Sequence, residues 1–316
     1  MKLAVWDPDE PFRRWRDALV QHASELGLAV EIIDAASEPD TPADFALVWK
    51  PPAHWLAGQP GLRAVFNLGA GVDAVLPLMR QAAPGVPLIR LEDAGMGRQM
   101  ADYVAEAVLH AWRRMADYAA LQSAQRWEPL VLPARGGFHV GFLGLGQMGY
   151  AAARRIAAMD FPVLACSRSG QPRATFEAPW PLYPLERLDA FLAQTRVLVV
   201  LLPLTPQTTG LLDYAALSHL PRGAHVVNAG RGAVIEQTDL LDLLGSGHIA
   251  SATLDVFATE PLPEGDPLWR HPRVRITPHV AAQTLVGPAA AQVMRKIATI
   301  ERGEVPSGTV DLRLGY

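Results

Sequence analysis

The chain reads as an α/β protein with two doubly wound parallel-sheet domains, and three observations predict this. Short β-branched runs alternate with helical patterns from one end to the other, as in strands joined by crossover helices. Some runs are apolar at every position, as in Val197-Leu198-Val199-Val200-Leu201-Leu202. Such runs mean burial on both faces of a sheet. The 316 residues, 50% hydrophobic and 19% charged, are long for one core and comfortable for two.

The first series of predicted strands is Leu3–Trp6, Val30–Ile33, Phe45–Trp49, Ala64–Asn67 and Leu88–Leu91. Between the first two, Phe12–Leu26 carries Trp15, Leu19 and Leu26 at helical spacing and stops at Gly27, a C-terminal capping signal. A long helix over about Gln99–Tyr118 and a proline-containing connection through Pro133 lead to the second series. Its strands are Val140–Leu143, Val163–Ser167, Val197–Leu202, Val226–Asn228, Ser251–Val256 and Arg275–Thr277. The last helix, about Pro288–Arg302, is expected to return to the first domain, whose edge otherwise lacks a partner. The domains are then 1–98 with 286–316, which is discontinuous, and 99–285. Two chain crossings would form a hinge and a cleft.

Composition narrows the function. A formal net charge of −4 leaves no basic block to displace counterions from a nucleic acid. The one cysteine, Cys166, can form no internal disulfide and no thiolate metal cluster, which suits a reducing compartment; it reads as a buried strand residue. The apolar run before Asp7 is too short for a secretory signal, and no stretch reaches the roughly 20 apolar residues of a membrane span. The expectation is a cytoplasmic protein with no membrane or nucleic-acid partner. No acids or histidines cluster at ligand spacing, so no metal is expected. Of the nine histidines, His110 in the long helix and His225 at a strand entrance read as packing residues.

Gly144-Leu145-Gly146-Gln147-Met148-Gly149 lies between a predicted strand and a helix whose buried stripe would be Met148, Ala152, Ile156 and Met159. In that setting the glycine pattern reads as a dinucleotide phosphate loop. Gly144 makes the tight turn, Gly146 lets the pyrophosphate near the backbone, and Gly149 lets helix and strand pack closely. The helix N-terminus supplies N–H groups and partial positive charge. The next strand ends Ala165-Cys166-Ser167-Arg168-Ser169, with no carboxylate for a ribose 2′-hydroxyl. A hydroxyl and a guanidinium fit a 2′-phosphate. NADPH is therefore the expected cofactor, with NADH as an alternative.

Three segments follow predicted strands of the second domain: Asn228-Ala229-Gly230-Arg231-Gly232, Leu254-Asp255-Val256-Phe257-Ala258-Thr259-Glu260 and Thr277-Pro278-His279-Val280-Ala281. Ligands of open α/β sheets sit outside the carboxyl ends of the strands, so these loops are expected to converge. An arginine, an acid and a histidine beside a nicotinamide suffice to reduce a 2-oxo acid. Arg231 would clamp the substrate carboxylate and polarise the carbonyl. His279 would donate a proton to that oxygen, and Glu260 would orient the imidazole and favour its protonated form.

At these residues the chain resembles the D-2-hydroxyacid dehydrogenase family over nearly its whole length. Asn67-Leu68-Gly69-Ala70-Gly71-Val72-Asp73, the phosphate loop, Leu202-Pro203-Leu204-Thr205-Pro206-Gln207-Thr208 and the three catalytic segments occur in family order. The resemblance implies a flavodoxin-like substrate domain and a Rossmann dinucleotide domain. It gives catalytic roles to Arg231, Glu260 and His279. It assigns Asp255 to the nicotinamide carboxamide, and Leu202, Pro203, Thr208, Ala229 and Gly230 to the cofactor site with Gln147 and Met148. Leu68, Gly69, Ala70 and Gly71 would bind the substrate carboxylate through backbone N–H groups.

A finer likeness is to the glyoxylate/hydroxypyruvate reductase A group of that family. It rests on Trp49-Lys50-Pro51-Pro52, Arg90-Leu91-Glu92-Asp93-Ala94-Gly95-Met96-Gly97, Ser167-Arg168-Ser169 and Pro267-Leu268-Trp269-Arg270-His271-Pro272-Arg273. It implies NADPH-preferring reduction of glyoxylate and hydroxypyruvate. Trp49 and Met96 read either as shaping the substrate pocket or as filling core. The region of Trp112 and Trp127 would form a homodimer interface. The alternatives are a dinucleotide-sensing corepressor on the same fold and a dehydrogenase with a bulkier substrate. A corepressor would be expected to carry a partner-binding tail or insertion, whereas this sequence ends at Gly-Tyr soon after its last helix.

Overall fold

Twelve strands form two all-parallel sheets in a computed structural model that describes residues 1–171 and 176–312. The chain divides into two compact units, Met1–Met96 with Thr284–Tyr316, and Gly97–Gln283. In the first unit β1 (Lys2–Trp6), β2 (Glu31–Asp34), β3 (Phe45–Val48), β4 (Ala64–Asn67) and β5 (Leu88–Arg90) take the order β2-β1-β3-β4-β5. Every residue of β3 and β4 is buried, because helices cover both faces of the sheet. Phe12–Glu25 turns Trp15, Leu19 and Ala23 inward and packs on the final helix, Val286–Glu301. The segment after that helix lines the outer edge of β5. Arg90 N donates to Gly308 O at 3.0 Å and Val310 N to Leu88 O at 2.9 Å. Buried Lys296 fastens it by donating to Glu92 Oε2 at 3.1 Å and to Ser307 O.

In the second unit β6 (Val140–Leu143), β7 (Val163–Ser167), β8 (Leu182–Pro184), β9 (Val197–Val200), β10 (Ala224–Asn228), β11 (Ile249–Leu254) and β12 (Val274–Ile276) take the order β12-β11-β10-β9-β6-β7-β8. The order reverses between β6 and β9, the position at which doubly wound sheets place a ligand crevice. Gly141 is required in β6, since a Cβ there would meet Thr195 Oγ1 at 2.4 Å and Phe191 Cζ at 2.8 Å.

Two elements differ from expectation. β8 has only three half-buried residues and ends at Pro184, so it carries neither an apolar run nor an alternation. The expected helix over Gln99–Tyr118 starts earlier and is broken, with helices at Met96–Trp112 and Met115–Ser123. Arg114 takes the left-handed conformation at φ 59°, and its Nε bonds Asp117 Oδ2 at 2.7 Å. Arginine is a good helix former, so propensity gives no warning of this break.

Candidate active site

The phosphate loop leaves β6 at Leu143 and enters the helix Gln147–Ala157. Gly144 has φ 103°, and a Cβ on it would lie 2.8 Å from Leu201 O. A Cβ on Gly149 would lie 2.1 Å from Gly144 O, so only glycine lets the first helical turn press on the preceding bend. Gly146 has nothing within 4 Å of its Cβ position, which leaves the backbone open to an approaching anion. Gln147 and Met148 start the helix, and Met148 and Met159 pack half-buried on the core that holds Ala152 and Ile156.

At the end of β7, Ser167 Oγ is buried and makes no hydrogen bond. Arg168 and Ser169 follow on the surface, with Ser169 Oγ accepting from Gln171 N at 3.3 Å. Cys166 is fully buried, and burial together with the Glu186 charge pushes its thiol up to about 12. It has no nucleophilic form near neutrality. After β9 come Leu202 and Pro203, then a turn closed by Thr208. The Thr208 hydroxyl donates to Pro203 O at 2.7 Å and accepts from Thr205 N at 2.8 Å. That hydroxyl shapes the loop itself.

The loops after β10, β11 and β12 carry the three predicted catalytic side chains. Asn228 Oδ1 accepts from Gly230 N and its Nδ2 donates to Arg231 O, both at 3.1 Å, which curls the first loop. A Cβ on Gly230 would meet Leu202 O at 2.9 Å, so Ala229-Gly230 lies against the Leu202 backbone. A Cβ on Gly232 would lie 2.0 Å from the Phe257 carbonyl carbon, so the Arg231 loop lies directly on the loop of Glu260. Arg231 Nη1 donates to Gly230 O at 2.7 Å. Glu260 Oε1 accepts from Phe257 N at 2.9 Å, and Glu260 Oε2 accepts from His279 Nδ1 at 2.8 Å. The carboxylate can only accept, so Nδ1 carries a proton and exchange with a ligand falls to Nε2.

His279 holds φ 56°, a left-handed backbone that is unusual for a residue with a side chain. Its N–H donates to Asp255 O at 2.8 Å. Asp255 is buried, and its carboxylate accepts from Thr277 Oγ1 at 2.6 Å, Val280 N at 2.9 Å and Ala281 N at 2.9 Å. Asp255 therefore folds the His279 loop, whatever else it binds.

The first unit repeats the asparagine device after β4. Asn67 Nδ2 donates to Gly69 O at 3.0 Å and Gly71 O at 2.8 Å, bending the backbone of Leu68, Gly69, Ala70 and Gly71. Thr284 Oγ1 donates to Leu68 O. The Trp49 ring lies on this loop, 3.0 Å from the Cβ position of Gly69, and its Nε1 donates to Asp9 Oδ2 at 3.0 Å. Met96 is buried, with its sulfur 3.7 Å from Thr284 Oγ1.

Comparisons with known proteins give the family of the chain. The sequence model described as "D-isomer specific 2-hydroxyacid dehydrogenase, NAD binding domain" matches residues 105–281. A glyoxylate/hydroxypyruvate reductase A of Serratia proteamaculans is 45% identical over 282 residues, covering 88% of this chain and 89% of that protein. The chain belongs to the D-isomer-specific 2-hydroxyacid dehydrogenase family. A 2-hydroxyacid dehydrogenase of this family from Xanthobacter autotrophicus, solved with NADPH and MES, superposes with a TM-score of 0.91 at 41% identity, covering 100% of this chain and 99% of its own. An NADPH-dependent glyoxylate/hydroxypyruvate reductase from Sinorhizobium meliloti, solved with NADP and sulfate, gives 0.90 at 35% identity over 100% of both chains.

The residues present fit the dinucleotide of a 2-hydroxyacid dehydrogenase. The Gly146 backbone is open, and Ser167 Oγ is a buried hydroxyl lacking a partner at the strand end where a ribose 2′-substituent is read. The sequence reading did not single out Asn67, Asn228, Thr277 or Tyr103. For the asparagines a signal existed: each ends an apolar run and precedes a residue and then glycine. Among the described residues no group of three or more His, Cys, Asp or Glu is placed to hold a metal, and no helix is long and apolar enough to cross a membrane.

Proposed function

We propose that this 2-hydroxyacid dehydrogenase is an NADPH-preferring reductase of small 2-oxo acids, glyoxylate and hydroxypyruvate foremost, with NADH as an alternative donor. The observation that carries the reading is the 2.8 Å contact between His279 and Glu260, whose loop adjoins that of Arg231. Bound NADPH supplies a hydride. Gly144, Gly146 and Gly149 shape the turn for the pyrophosphate, while Ser167, Arg168 and Ser169 offer donors to the 2′-phosphate. Leu202, Pro203, Ala229 and Gly230 form the backbone wall beside the phosphate loop, and Asp255 accepts from the nicotinamide amide.

Arg231 pairs with the substrate carboxylate and polarises its carbonyl, an electrostatic role that strengthens as charge develops on oxygen. His279 Nε2 holds the proton that this oxygen receives, and Glu260 keeps the ring in that orientation. The backbone N–H groups of Gly69, Ala70 and Gly71 bind the substrate carboxylate, with Trp49 supporting their loop. Names and ligands of similar proteins support the choice of substrate and cofactor: the Sinorhizobium meliloti protein is a glyoxylate/hydroxypyruvate reductase in complex with NADP.

The protein is further proposed to be a cytoplasmic homodimer. Support comes from the fully exposed Trp127, the helix Met115–Ser123 with no buried side chain, and the single reduced cysteine. The test is a steady-state assay of NADPH consumption with glyoxylate, hydroxypyruvate and bulkier 2-oxo acids. Turnover fastest with the two small acids is expected. No NADPH consumption with any 2-oxo acid would overturn the reading.

A further inference from the structure

We propose that Tyr103 and Thr277 are positioning residues for His279, linked to it through Asp255. The inference rests on His279 as the proton donor described above.

His279 occupies a left-handed backbone position at φ 56°. A residue with a Cβ stays there only when its surroundings over-determine it. The structure shows what does so. The Asp255 carboxylate accepts the N–H groups of Val280 and Ala281, the two residues after His279, while Asp255 O accepts the N–H of His279 itself. Asp255 thus grips three consecutive backbone amides. Its own orientation is then the variable that matters, and Thr277 Oγ1 fixes it by donating to Oδ1 at 2.6 Å.

Since the Thr277 hydrogen is committed to Asp255, Tyr103 OH is the donor in the 2.7 Å contact between the two hydroxyls. Tyr103 sits on the helix Met96–Trp112, far from the loop in sequence. Burial pushes its phenol up to about 12, so it stays a donor across the working pH range. Donors in series polarise one another, so the helix is linked through two hydroxyls and one carboxylate to the backbone amides that hold the His279 loop.

A displacement of the reacting group by about 1 Å costs as much as 10²-fold in rate. The tests use the NADPH-loaded full chain. Thr277→Val should lower kcat about 10-fold. Thr277→Ser, which keeps the hydroxyl, should restore it. Tyr103→Phe should fall between. Because Tyr103 acts only through Thr277, the double variant should be no slower than Thr277→Val alone.

The histidine-selective NMR signal of the His279 ring should shift in Thr277→Val and Tyr103→Phe and return in Thr277→Ser. That readout holds even if the unaltered chain reduces no 2-oxo acid, a result that would remove the catalytic reading alone. Additive losses in the double variant, no rescue by serine, or an unmoved His279 signal would overturn the proposal.

Discussion

At the residue scale, the site pairs groups whose chemistry is complete only when held together. Glu260 divides its carboxylate between the Phe257 amide and the His279 ring, at 2.9 and 2.8 Å, so the imidazole inherits the rigidity of the backbone. Cofactor choice also falls to single residues. The end of β7 offers the buried, unsatisfied Ser167 hydroxyl and then Arg168, with no carboxylate to accept a ribose 2′-hydroxyl. Arg168→Asp would place a negative charge where a 2′-phosphate approaches. The variant should lose NADPH efficiency and move its preference toward NADH in kcat/KM measured with each cofactor. Unchanged NADPH kinetics would show that Arg168 does not read the phosphate.

At the element scale, the strand ends do most of the placing. β10, β11 and β12 lie side by side in the sheet, so the loops that leave them start as neighbours. His225 shows what lies on the β10 strand behind them. Its Nδ1 bonds Ser251 Oγ on β11 at 2.7 Å and its ring lies near Phe138. Burial, followed by the Arg196 charge, pushes the imidazole down to about 4 from an ordinary 6.5, partly opposed by Asp117.

The unfolded chain therefore takes up this proton at a higher pH than the folded one does. The stability that neutral His225 contributes is complete above about pH 6.5 and is lost as pH falls toward 4. His225→Gln should flatten the acid limb of thermal stability between those values. An equally steep limb in the variant would assign it to other groups.

Elements also show how far the sequence could be read. The all-apolar runs of β3, β6 and β9 announce strands buried on both faces, because no other short element needs every side chain apolar. β8 escaped because three half-buried edge residues leave no pattern, and the helix break at Arg114 because a left-handed residue is set by its tertiary partners. The glycine loop was legible since its spacing is local, and Arg231, Glu260 and His279 were candidates since each stands in a short segment that follows a predicted strand. Tyr103 and Thr277 were not: their contact spans 174 positions, and tyrosine and threonine are ordinary at those places in a helix and at a strand end.

Across the whole molecule, two parallel sheets built by the same rules carry different chemistry at their carboxyl ends. The first unit ends β4 in an asparagine-closed loop in which Gly69, Ala70 and Gly71 are half-buried. The second ends β6 in a glycine turn and β10, β11 and β12 in loops bearing Arg231, Glu260 and His279. A fold of this kind does not fix a reaction; the loops do. The central claim is that His279 delivers the proton.

The most direct measurement compares kcat for glyoxylate reduction by NADPH in the unaltered protein and in His279→Gln, with cofactor affinity determined separately. A fall of roughly 10²–10⁴-fold, typical of lost acid catalysis, with NADPH affinity retained is the predicted result. Near-normal turnover in the variant would contradict the account.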